Sequence, residues 1–182
     1  MPLPHALLTA LLERTEAGLE LARRFDRSIG FFWHATHQQI YRELGRLERA
    51  GWIAAQPAAG GRGRKKTYRV LPAGEEELRR WTAERQDPRP LRDELMLRLR
   101  AEALVGPTTL KDDIRRRLEL HREKLAVYRQ LEERDFPPEK RRSREARLRH
   151  LVLQAGIMHE TYWVEWSEQA LALLSELEEA EQ

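Results

Sequence analysis

Apolar side chains recur at helical spacing almost from the first residue. Leu3, Leu7, Leu8, Leu11 and Leu12 predict a helix over 3–13. After a short break around Glu16-Ala17-Gly18, Leu21, Phe25 and Ile29 line one side of a second helix over about 18–28. Gly30-Phe31-Phe32-Trp33-His34 interrupts the pattern as an aromatic turn. Thr36 is a good N-cap, and Gln39 three residues later completes a capping box, in which each side chain satisfies the other residue's free backbone donor. Ile40, Leu44 and Leu47 then mark the buried stripe of a third helix, and Gly51 supplies its stop. The period changes at Trp52. Residues 52–56 and 67–71 have strand character, and the glycines between them permit the turns of a β-hairpin. Pro72-Ala73-Gly74 opens a fourth helix, to about residue 85, with Leu78 and Trp81 as apolar contacts.

Asp87-Pro88-Arg89-Pro90 disfavours helix on both sides and divides the chain into domains 1–86 and 87–182. Beyond it the spacing predicts three helices. The first, over 91–104, turns Leu91, Leu95, Leu99 and Met96 inward; the second, over 109–134, carries Ile114, Leu118, Leu125 and Tyr128 and ends at Phe136-Pro137-Pro138. The third, over 139–179, presents Leu148, Leu151, Val152, Ala155, Tyr162, Trp166, Leu173 and Leu177 as its apolar stripe, with a break expected near Gly156. Long charged helices with narrow apolar stripes need each other or a second chain for stability. The predicted fold is mainly α: an N-terminal winged helix-turn-helix with a two-stranded β-hairpin wing, then an all-helical C-terminal domain.

Composition adds constraints. A hydrophobic share of 41% is too high for a disordered chain, and 35% charged residues favours exposed, charge-laced helices. The net charge of +3 is unevenly placed: residues 1–88 hold 15 Lys+Arg against 11 Asp+Glu, and residues 89–182 hold 18 against 19. The positive excess therefore lies in the half with the hairpin. No cysteine is present, which excludes disulfides, thiolate nucleophiles and Cys-ligated zinc. There is no signal-peptide pattern and no run near the ~20 apolar residues that cross a bilayer, so a cytoplasmic protein without membrane contact is expected.

On the third helix, Gln38, Arg42, Gly45 and Arg49 point away from Ile40, Leu44 and Leu47, while Gln39 and Arg46 flank them. Glutamine and arginine suit bidentate contacts with adenine and guanine. Recognition helices use their N-terminal residues for bases, which ranks Gln38, Gln39 and Arg42 above Arg46 and Arg49. Tyr41 sits at the border, where its ring can pack while its hydroxyl reaches a phosphate. Arg62, Arg64, Lys65, Lys66 and Arg69 follow with no acid between them. A wing along the DNA backbone needs that concentration of positive charge, because neutralising phosphates releases condensed counterions. The same segment does not fit a Walker phosphate loop. Double-stranded DNA is thus the expected partner.

Residues 3–85 resemble the winged helix-turn-helix domain of PadR-like transcriptional regulators. The resemblance is carried by the opening leucine-rich helix, residues 18–25, residues 40–52 (Ile40-Tyr41-Arg42-Glu43-Leu44-Gly45 onward) and residues 63–74 (Gly63-Arg64-Lys65-Lys66-Thr67-Tyr68 onward). Residues 91–180 resemble, less specifically, the helical C-terminal domain shared with virulence activators. The resemblance implies a homodimer held by C-terminal helices, a pseudopalindromic operator, and a repressor relieved by a small molecule. One departure is His37-Gln38-Gln39, where many relatives have a small or proline-containing segment, so base preference does not carry over.

Other side chains weigh less. His34 and His37 are three apart but have no third ligand nearby and are read as turn and helix residues, so no metal or cofactor is expected. His121 falls in a series with Ile114 and Tyr128 and is read as a partly buried structural histidine. No nucleophilic triad, carboxylate pair or dinucleotide fingerprint stands out, and no enzymatic activity is expected. Tyr162, Trp163 and Trp166 form an aromatic cluster that builds either a core or dimer seam, or a pocket for a planar effector. Lys140-Arg141-Arg142-Ser143-Arg144, with Arg147 and Arg149, is a basic helix start in solvent. A winged helix repurposed for protein docking is the competing class.

Overall fold

In the computed structural model, which describes residues 2–26, 34–57, 66–88, 90 and 92–180, the leucine spacing of the first residues forms helix α1, Leu3–Glu13. The break at Glu16–Ala17 is not a loop but a short strand, β1, and Gly18–Asp26 follow as α2. Helix α3 is His37–Arg49. Strands β2, Ile53–Pro57, and β3, Lys66–Val70, pair antiparallel from Ile53 opposite Val70 to Pro57 opposite Lys66. β1 pairs with the far edge of β3, Glu16 opposite Tyr68, so the predicted two-stranded wing is part of a three-stranded sheet of order β1-β3-β2. Two residues of strand carry no periodicity, which hid β1 from the sequence. Helix α4, Pro72–Thr82, closes this unit.

The chain divides into two compact units, Met1–Arg89 and Pro90–Gln182. The first has a closed core: Leu7, Leu8 and Leu11 of α1, Leu21 and Phe25 of α2, Ile40, Leu44 and Leu47 of α3, and Ile53 of β2 are all buried. Arg24 fastens α2 to its neighbours, its guanidinium donating to Glu16 at 2.8 Å and Glu13 at 2.9 Å. Gly74 is required by packing, since a Cβ there would lie 2.4 Å from the Trp52 carbonyl oxygen.

The second unit contains α5, Glu94–Val105; α6, Leu110–Asp135; a single 3-10 turn at Pro138–Lys140; and α7, Arg144–Ala180. Leu91, predicted inward, lies outside the described residues. Leu95, Leu110 and Ile114 form a small core against Met96, Leu99, Trp163, Trp166, Leu171 and Leu174. Two expectations fail on α7. It is continuous through Gly156, because the missing side chain makes room for Tyr128: a Cβ there would lie 2.9 Å from the Tyr128 ring. Of the predicted apolar stripe Trp166 packs on the core, but Leu148, Leu151, Val152, Tyr162, Leu173 and Leu177 do not; they are all about half exposed or more. A second set at the same spacing, through Glu160, Trp163, Ser167, Leu171 and Leu174, faces inward instead. Among the described residues no helix is long and apolar enough to cross a membrane.

Candidate nucleic-acid interface

Both ends of α3 are fixed by local chemistry. At its start the Gln39 amide N–H donates to the Thr36 hydroxyl at 3.2 Å, and the Thr36 N–H donates to Gln39 Oε1 at 2.8 Å, completing the predicted capping box. At its end Gly51 takes φ +71°, a left-handed conformation that favours glycine. The Trp52 N–H then reaches the Leu47 carbonyl at 3.0 Å and the Gly51 N–H the Glu48 carbonyl at 3.1 Å, the Schellman pattern. A stripe of Ile40, Leu44 and Leu47, each 1% exposed or less, holds the helix on the core. Its position is therefore set by packing and its opposite face is left to solvent.

That face carries Gln38, Gln39, Tyr41, Arg42 and Arg46, all exposed. Gln38 and Arg42 have no side-chain partner among the described residues. The others are engaged. Gln39 caps the helix, Arg46 pairs with Glu43 at 3.3 Å, and Arg49 donates to the Gly45 carbonyl at 3.1 Å. The Tyr41 ring lies against Gly18, where a Cβ would come within 2.7 Å of it. Gly45 meets nothing in the space where a Cβ would stand, so the face is low there. Lys66 opens β3 and is exposed; Arg62, Arg64 and Lys65 lie outside the described residues. Beside α3, burial pushes the Tyr68 phenol above its ordinary value, and Glu48 and Tyr41 add to the shift.

Two acidic residues escaped the sequence reading. Glu43 is only 9% exposed although it sits on the helix with the basic face. Its spacing from Ile40 and Leu47 places it on the edge of the buried stripe, and that spacing was the available signal. Glu160 is 1% exposed in the seam between α6 and α7, accepting from His121 Nδ1 at 2.6 Å and Lys124 Nζ at 2.9 Å. Burial pushes its carboxyl up, but the bonds from His121 and Lys124 and the charge of Lys124 outweigh it, and the net displacement is downward. His121 stacks on Trp163 with ring centres 5.6 Å apart, and Trp163 meets Trp166 edge-on at 5.4 Å. Trp163 and Trp166 thus belong to the small core, while Tyr162 projects from the exposed side. His34 and His37 are both exposed, and among the described residues no metal-binding group of three or more ligands occurs.

A capped helix packed by one stripe, with glutamine and arginine on the other side and a β-hairpin following, defines the DNA-binding winged-helix class. The comparisons narrow this further. Residues 7–80 match the transcriptional regulator PadR-like family, and residues 91–175 match the virulence activator α C-terminal family. The chain is 37% identical to the probable transcriptional regulator Rv1176c of Mycobacterium tuberculosis, covering 97% of this chain and 99% of that one. It is 27% identical to the negative transcriptional regulator PadR of Bacillus subtilis, covering 94% and 97%. The PadR structure in complex with operator DNA aligns with a TM-score of 0.80, over 95% of this chain and 99% of that one. The PadR structure with p-coumaric acid aligns at 0.78, over 96% and 99%. The Vibrio cholerae virulence activator AphA, 27% identical, aligns at 0.82, over 96% and 99%. The chain belongs to the PadR-like family of transcriptional regulators.

Proposed function

We propose that the protein is a cytoplasmic, homodimeric, sequence-specific repressor that binds a pseudopalindromic operator and is released by a small aromatic effector. The N-terminal unit is the DNA-binding domain and the C-terminal unit the dimerisation and effector domain. The observation that carries the reading is the exposed Gln38–Arg42 face of a helix whose ends and back are locked in place. Each protomer lays α3 in a major groove and residues 60–67 along the neighbouring backbone. A two-fold dimer then requires half-sites about one helical turn, or a multiple of it, apart.

Three further observations support the parts of this reading. The half-exposed stripe Leu148, Leu151, Val152, Leu173 and Leu177 supports a second copy as the partner of α7. Tyr162, exposed at the edge of the Trp163–Trp166 pair that packs in the small core, supports a contact point for an effector with a planar ring. Binding of such a molecule is also supported by the solved complex of PadR with p-coumaric acid. The test is a gel shift on the duplex upstream of the protein's own gene, repeated with Arg64→Ala and Lys66→Ala and with aromatic acids added. Both variants are expected to weaken binding to every sequence and to flatten its salt dependence, by about one unit of slope per charge. An aromatic acid is expected to release the DNA and change tryptophan emission. Failure to bind any duplex at low salt would instead favour a winged helix used for protein docking.

A further inference from the structure

We propose that α3 reads sequence with two side chains only, Gln38 and Arg42, so that each half-site carries an adenine and a guanine within three consecutive base pairs. The inference rests on the DNA-binding reading above and narrows it. Most polar side chains on this helix are already committed inside the protein. Gln39 Oε1 accepts the Thr36 N–H at 2.8 Å, and turning that amide toward a base breaks this half of the capping box and leaves the Thr36 N–H without its partner. Arg46 Nη1 donates to Glu43 at 3.3 Å, and withdrawing it takes the cation away from a nearly buried carboxylate. Arg49 Nε holds the Gly45 carbonyl at 3.1 Å. Tyr41 is seated on Gly18. Gln38 and Arg42 have no such tie among the described residues and stand on the exposed side.

The spacing of the two free side chains sets the length of the word they read. Residues four apart on a helix point within about 40° of each other and differ by about 6 Å along the axis. Base pairs are about 3.4 Å apart, so the two side chains span about two steps. Glutamine pairs bidentately with adenine N6 and N7, and arginine with guanine O6 and N7. The next position on this face is Gly45, where the space for a Cβ is empty to 4 Å. No side chain there extends the reading beyond Arg42, and none holds the helix off the bases.

The experiment selects bound sequences from a random duplex pool with the full chain and with Gln38→Ala, Arg42→Ala, Gln39→Ala and Arg46→Ala. Gln39→Glu, which keeps the capping box, replaces Gln39→Ala should that variant unfold. The unaltered protein is expected to select half-sites with an adenine and a guanine within three consecutive base pairs. Gln38→Ala loses the adenine and Arg42→Ala the guanine, each preference falling by about 5- to 150-fold. The changes at Gln39 and Arg46 leave the selected sequence as it was. A base preference erased by either of those two, or kept intact in both Gln38→Ala and Arg42→Ala, overturns the inference while leaving the regulator reading in place. Binding without any selected sequence overturns both.

Discussion

Helices α3 and α7 stand at opposite extremes in how they are held. In 13 residues α3 buries Ile40, Glu43, Leu44 and Leu47, whereas α7 in 37 residues fully buries only His150, Glu160 and Ser167, all polar. The N-terminal unit packs three helices and a sheet strand around one closed apolar core. In the C-terminal unit, α7 lies along α6 and a small core near α5 and leaves Leu148, Leu151, Leu173 and Leu177 half exposed. Polar pairs run along the α6–α7 seam: ion pairs of Glu160 with Lys124 and Glu168 with Arg122, and hydrogen bonds of Glu160 with His121 and Glu132 with His150. The first unit is complete as a folded body. The second is registered by polar pairs along α6 and leaves Leu148, Leu151, Val152, Leu173 and Leu177 of α7 half exposed, the side on which the proposed partner would sit.

The strongest effect is expected in the closed core. Leu44→Ala removes a fully buried side chain and should cost about 2–5 kcal/mol, with an unfolding midpoint for the N-terminal unit that does not depend on protein concentration. Thermal or urea melts at several concentrations check this.

Next comes the open side of α7. Leu151→Glu with Leu173→Glu places charge where the proposed partner sits, forfeiting about 0.8–1.7 kcal/mol of burial per leucine, since each is little more than half exposed to begin with. Sedimentation should show a monomer, while circular dichroism keeps the helical signal. A wild-type chain that sediments as a monomer at micromolar concentration would remove the distinction between the two units.

The smallest effect separates two carboxylates by pH. Glu77, bonded first by Arg80 and then by His5, is lowered to about 2, and Glu160 is also held below its ordinary value. A carboxyl depressed in the folded state adds stability above its unfolded pKa, near 4.5, and that contribution fades as pH falls through the folded value. Glu77→Gln and Glu160→Gln should therefore both melt lower than the parent at pH 7, and the deficit of Glu77→Gln should shrink from pH 4.5 toward 2. Salt should diminish the Glu77 effect more, because the Glu77 side chain is 15% exposed and its partner Arg80 58%, against 1% for Glu160 and 44% for Lys124. Equal salt sensitivity would show that the seam is no drier than the surface.

Much of α3 was legible before any coordinates. Threonine at 36, glutamine at 39 and glycine at 51 act over one turn of chain, and Ile40, Leu44 and Leu47 repeat at the period of one helix on one core. The free face was legible too, but not which of its side chains were already spoken for. Glu43 and the capping role of Gln39 divide that face, and the first depends on a neighbour's burial that spacing only hints at. Strand β1 was invisible because two residues have no pattern; it exists through its register with Tyr68 and Thr67, some fifty positions away.

By itself the sequence determined what is local: the start and stop of α3, the change of period at the hairpin, and the face of α3 that turns from the core. Only the tertiary structure decided which face of α7 meets α6, since periodicity cannot show that the face carrying Glu160 and Ser167 is the buried one. The choice rests on complementarity. Gly156 admits the Tyr128 ring, and Glu160 finds His121 and Lys124 only in that rotation of the helix.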